Sequence, residues 1–189
     1  MSCNLFVKMI FFILLINSCA RQTVRNIKED YSCERDGNMI EVDRLNQYPF
    51  NASSKVAFIS YKQKKIGIDG TELSRYLKQH YEEKSKIVLA DFHEFTYLTK
   101  ENINELTDLF YNYGINYDGP LAISGCYSPR NAILFLDNDN HLLNYIEICF
   151  ECGRVVLSDD HINLGSKCYN KLYLLQDLFM KFNINYVRH

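Results

Sequence analysis

Four cysteines, Cys126, Cys149, Cys152 and Cys168, crowd the C-terminal part of this 189-residue chain and are its most reactive residue set. Three chemistries are open to them. In an oxidising compartment they would form disulfides, each stabilising the fold by about 2–4 kcal/mol. Cys149-Phe150-Glu151-Cys152-Gly153 has the spacing of a zinc knuckle, in which Gly153 frees the backbone to turn; with Cys126 and Cys168 it would make a Cys₄ metal site. The same CxxC could exchange electrons, although that chemistry favours a helix N-terminus and this motif lies between two apolar strands.

A hairpin brings these residues toward one another. Asn131 to Leu136 and His141 to Phe150 read as strands around Asp137-Asn138-Asp139-Asn140, with Asn140 at the bulge position because Asn tolerates a left-handed backbone. If Asp137 pairs with His141, the same register sets Glu147 opposite Asn131 and Cys126 opposite Cys152. Cys126–Cys152 with Cys149–Cys168 is then one of the three pairings that four cysteines allow. Glu147, flanked by Ile146 and Ile148, points to the face opposite them, as a cross-strand polar contact, a solvent-facing group or a carboxylate that tunes the thiols.

Cys126-Tyr127-x-Pro129-Arg130-x-Ala132-Ile133, Tyr145-Ile-Glu-Ile-Cys-Phe-Glu-Cys152 and Cys168 before a Leu/Phe helix resemble a group of small exported bacterial proteins. The similarity spans roughly residues 86–186, with Asn140-His141 where the group often has Gly-Lys. It implies a shared fold and names no reaction.

The N-terminus gives an address. Lys8 precedes the apolar run Met9 to Ile16, which suits a signal-peptide core and falls short of the roughly 20 residues of a membrane span. Ile16-Asn17-Ser18-Cys19 resembles the lipobox of bacterial lipoproteins. That resemblance implies cleavage before Cys19, diacylglyceryl and palmitate-type acyl modification of its thiol and amine, and anchoring in the cell envelope. Ala20, in place of an Asp, points to the outer membrane. Removing residues 1–18 removes only Lys8 from the charge count, so a net −2 becomes −3. The lone basic cluster, Lys62 to Lys65, suits a solvated turn, and nucleic acid is not an expected partner.

Residues 19–54 are polar and weakly periodic and read as a tether with little structure before Ile40; residues 55–189 read as one domain. Lys55 to Tyr61, Lys86 to Asp91 and Arg154 to Leu157 have strand composition. Thr71 and Thr99 stand where helix caps belong, Gly114 where a left-handed C-cap belongs, and Asn183 closes a last helix over about Lys167 to Phe182. Residues 87–93 echo 155–161, and 106–117 echo 175–186, which raises a duplicated strand–helix unit against chance similarity. The expected fold is α+β, an antiparallel sheet covered by two or three helices.

Two Asp-x-His tripeptides, Asp91/His93 and Asp159/His161, follow expected strands, where metal or ester chemistry and plain solvation are both common. Phosphate loops, nucleophile elbows and His-x-x-x-His helices are absent from the sequence. The expectation is a lipid-anchored, non-enzymatic envelope module that binds an envelope protein or small ligand and needs no cofactor. The alternative is a Cys₄ zinc or thiol-redox protein built on Cys126, Cys149, Cys152 and Cys168. Mature cysteines number five (Cys33, Cys126, Cys149, Cys152, Cys168 after Cys19), so intramolecular pairing leaves one over.

Overall fold

The computed structural model describes residues 32–62, 71–115 and 127–187. Its centre is a five-stranded antiparallel sheet in the order β3-β2-β5-β6-β7: β2 Lys55–Ser60, β3 Glu94–Tyr97, β5 Asn131–Leu136, β6 Leu142–Cys149 and β7 Arg154–Leu157. A second, two-stranded sheet pairs β1 (Glu34–Arg35) with β4 (Tyr113–Gly114), also antiparallel. Helices are α1 Glu41–Leu45, α2 Glu72–Glu83, α3 Lys100–Asn112 and α4 Lys171–Lys181. The protein is therefore α+β, with helices on both faces of its main sheet.

Burial on both faces explains why β2 and β5 carry unbroken apolar runs, Val56 to Ile59 and Ala132 to Leu136. Val56, Phe58, Ile133, Phe135, Ile146 and Ile148 point to the layer of α3 and α4, meeting Leu106, Phe110, Leu175 and Phe179. Phe58 stacks on Phe179 with ring centroids 3.8 Å apart. Ala57, Ile59, Ala132, Leu134 and Tyr145 point the other way, onto Leu73 and Leu77 of α2. Because side chains alternate, each strand serves two cores.

Local signals hold at several ends. Thr99 and Asn102 form a reciprocal capping box, with N–H···O distances of 3.1 and 3.2 Å. Asn140 (φ 68°) and Asn183 (φ 67°) adopt the left-handed conformation. Thr71 precedes α2 as expected, but its side chain makes no capping bond.

Other expectations are corrected. Lys86 to Asp91 is not a strand: Lys86 makes one bridge to His141, and Leu89–Asp91 forms a 3₁₀ turn with Val88 and Leu89 exposed. The strand that forms instead is β3, which pairs with β2 at the edge of the sheet and alternates Phe95 and Tyr97 with Glu94 and Thr96. The first half of the apparent repeat thus lacks the strand that β7 supplies in the second. Gly114 is not a left-handed cap, since Tyr113 leaves α3 in an extended conformation. It is small for another reason: a Cβ there would stand 2.4 Å from the Ser166 Cβ.

Residues 32–54, expected to belong to a tether, take part in the fold. Cys33 to Arg35 joins the fold, Arg44 is buried on α1, and Phe50 lies in the core against Phe135 with centroids 5.1 Å apart. Arg44 donates to Thr107 and Asn104 of α3, while Arg35 makes a two-pronged bond to Asp108 at 3.1 Å. Residues 32–54 are thereby part of the domain.

Candidate functional site

The sulfurs pair differently from the Cys126–Cys152, Cys149–Cys168 scheme. Cys149 bonds Cys152 within the β6–β7 turn, and Cys168 bonds Cys33 across a sequence separation of 135. Cys126 lies outside the described residues, as does Cys19. The hairpin register supplies one reason. Leu136 faces Leu142 as expected, but an irregularity between Phe135 and Leu136 moves the rest one residue out of step. Glu147 then faces Ala132, and Asn131 faces Ile148. The other reason is the arm before α1, which carries Cys33 to the N-terminal end of α4, where its N–H donates to Asn170 Oδ1 at 2.6 Å.

Bonded in this way, Cys149, Cys152 and Cys168 have no thiolate to offer, so three of the four expected zinc ligands are engaged with other sulfurs. Gly153 does have the left-handed backbone (φ 65°) the turn requires. The Cys152 N–H points at Cys149 Sγ, 3.2 Å away, and Cys149 Sγ lies 3.5 Å from the Ser128 carbonyl oxygen.

Glu147, two residues before Cys149 and on the same face of β6, is 2 % exposed. Its Oε1 accepts from Ser74 Oγ of α2 at 2.9 Å and from the Tyr127 hydroxyl. Burial pushes this carboxyl above its ordinary value, against the two hydroxyl bonds and the nearby Arg154. Burial and the facing Glu147 push the Tyr127 phenol upward in turn. Arg154 lies over the Tyr127 ring, 4.7 Å from its centroid. The residue is thus a buried polar contact between sheet, α2 and the segment before β5.

No family model, curated protein or solved structure matches this chain. The site must be read from its own geometry.

On the opposite side of β6 and β7, a groove of about 1060 Å³ runs between β7 and α4. Val155, Leu157, Leu164, Leu172 and Tyr173 line it, with Cys152 and Cys168 contributing from its two sides. Below the groove, half-buried Lys171 donates to the carbonyl oxygens of Phe110 (2.7 Å), Leu164 (2.9 Å) and Ser166 (2.7 Å). Burial pulls its ammonium down to about 8. Gly165 (φ +71°) makes this cage possible, because a Cβ there would stand 2.0 Å from the Phe110 oxygen. Sequence reading missed Lys171; a lysine followed by Leu-Tyr-Leu-Leu on a helix carries no mark of an internal cation.

The two Asp-x-His tripeptides differ. Asp91 accepts from Tyr76, whereas His93 lies edge-on to Tyr186. Asp159 Oδ1 accepts the His161 N–H and lies 2.7 Å from His161 Nδ1, while Oδ2 accepts from Tyr48. The His161 N–H, then the ring, hold the Asp159 carboxyl below its ordinary value. The Tyr48 hydroxyl oxygen also lies 3.0 Å from Asn144 Oδ1, which accepts from Ser158. This network fastens the chain before β2 to the end of β7. Asp137, Asp139 and His141 place their ligand atoms within 4.8 Å of one another, but Asp137 is occupied by the Asp139 and His141 N–H groups and the His141 ring, as a hairpin loop requires.

No helix among the described residues is long and apolar enough to cross a membrane. The apolar run Met9 to Ile16 lies outside them.

Proposed function

We propose that this chain is a cell-envelope lipoprotein, held at the outer membrane through Cys19, whose disulfide-stabilised α+β domain is a non-enzymatic interaction module. The Cys33–Cys168 bond is the observation that carries the reading. Such a bond persists where thiols are not kept reduced, which agrees with an exported chain. It also joins the segment behind Cys19 to the chain just before the last helix, so a pull on the anchor that reaches Cys33 passes through the disulfide into the core. Lipidation at Cys19 and the lipobox resemblance supply the anchor on this reading. The groove between β7 and α4 supplies the recess for an envelope protein or small ligand.

The test is intact-mass and palmitate-labelling analysis of the full chain expressed in a bacterium with a lipoprotein pathway. The expected product begins at acylated Cys19 and sediments with membranes, and Cys19→Ser loses both label and membrane association. An unacylated Cys19, or a Cys19→Ser variant that stays membrane-bound, would overturn the anchoring.

A further inference from the structure

We infer that the Cys149–Cys152 disulfide is a thiol–disulfide exchange site, opened by a dithiol that reaches Cys152 through the groove beside β7. The inference does not depend on anchoring at Cys19.

Four observations support it. The bond joins residues separated by 3 in sequence, inside a turn whose strands are already held by the β6–β7 ladder from Ile146↔Leu157 to Cys149↔Arg154. Opening it therefore leaves the hairpin in place. Cys152 lines the groove, whereas Cys149 lines a separate recess of only about 10 Å³ beside the Ser128 carbonyl, so the two sulfurs are not equivalent to an incoming group. The Cys152 N–H already points at Cys149 Sγ at 3.2 Å. A backbone N–H in that position stabilises the thiolate that Cys149 becomes when the bond breaks. As a thiol, Cys149 has an acceptor in the Ser128 oxygen, so both protonation states are provided for. Finally, both cysteines are 2 % exposed, and of the two recesses that they line only the groove has room for an incoming dithiol.

The exchange balances in two steps. A thiolate of the incoming dithiol attacks Cys152 Sγ; a sulfur–sulfur bond to the partner forms, the Cys149–Cys152 bond breaks, and Cys149 leaves as a thiolate. The partner's second thiol, as thiolate, then attacks its own sulfur in the mixed disulfide and releases Cys152 as a thiolate. The two cysteine thiolates take up two protons. In sum the partner dithiol loses two electrons and two protons and becomes a disulfide, and Cys149/Cys152 becomes a dithiol.

The experiment equilibrates the oxidised full chain, and the same chain with Cys126→Ser, against graded ratios of reduced to oxidised dithiothreitol. Thiols are trapped with acid and an alkylating agent, and each pair is assigned by peptide mapping. The expected result is that Cys149–Cys152 opens while Cys33–Cys168 stays closed, with exchange constants at least about tenfold apart, which is about 30 mV. Hydrogen exchange of β6 and β7 should not change as the bond opens. The inference is overturned if Cys149–Cys152 opens only with Cys33–Cys168 or on unfolding, or if mapping finds Cys126 bonded to either cysteine. The single variants test the direction of attack, with glutathione disulfide as probe. Cys149→Ser should be glutathionylated at Cys152 about tenfold faster than Cys152→Ser is at Cys149. Equal rates, or the reverse order, would overturn entry through the groove.

Discussion

The Cys33–Cys168 and Cys149–Cys152 bonds have Cα separations of 5.0 and 5.2 Å but sequence separations of 135 and 3. Cys168, Cys149 and Cys152 are all 2 % exposed, and Cys33 is half-buried. What differs is the chain each one closes. Loop-closure entropy gives about 5 kcal/mol for the long loop and about 2 kcal/mol for the short one, and the ladder around the short loop already restrains its ends. Similar Cα separations therefore hide unequal mechanical roles: one bond holds an arm onto the fold, and the other sits in a turn that would persist without it.

Removing Cys33–Cys168 should produce the largest change. Cys33→Ser with Cys168→Ser is expected to cost up to about 5 kcal/mol in urea unfolding, with hydrogen exchange rising first in β1 and β4. The arm keeps its Arg35 and Arg44 contacts to α3, so partial retention of α1 is expected. Cys149→Ser with Cys152→Ser should cost no more than about 2 kcal/mol by the same measurement. Equal losses for the two double variants would break the distinction.

The smallest effect concerns Glu147, beside the short bond. Burial raises its folded carboxyl above the unfolded value, so the folded state binds more protons between the two. This contribution is fully present below the unfolded value of about 4.3 and is lost as pH rises through the folded value. Both hydroxyl donors reach Oε1, and a Gln side-chain oxygen can accept them in the same place. Glu147→Gln is therefore expected to fold and to remove this fall from urea midpoints measured against pH. A variant with the wild-type pH slope would show that Glu147 is not its source.

Much of the fold was legible because its signals are local. Thr99 and Asn102 are three residues apart, and their capping box depends on little else. Asn140 and Asn183 mark left-handed positions through the backbone tolerance of their own side chains. The apolar runs at Phe58 and Ile133 announce strands buried on both faces. The strand expected at Ile87 was wrong for a complementary reason. β-Branched composition favours a strand only where a partner backbone lies alongside, and after Lys86 the chain leaves the sheet. The candidate site was less legible. CxxC was visible as a motif, and the groove, Lys171 and its three carbonyls were not.

The sequence by itself determined the longer strands and helices, most turn residues and a crowded set of thiols, because each depends on neighbours within a few positions along the chain. Only the tertiary structure decided which sulfurs meet. A one-residue irregularity between Phe135 and Leu136 moves Glu147 from Asn131 to Ala132, and the arm before α1 delivers Cys33 to Cys168. Both outcomes depend on how distant segments pack, and packing is set by the whole core at once. Local propensity carries no record of it.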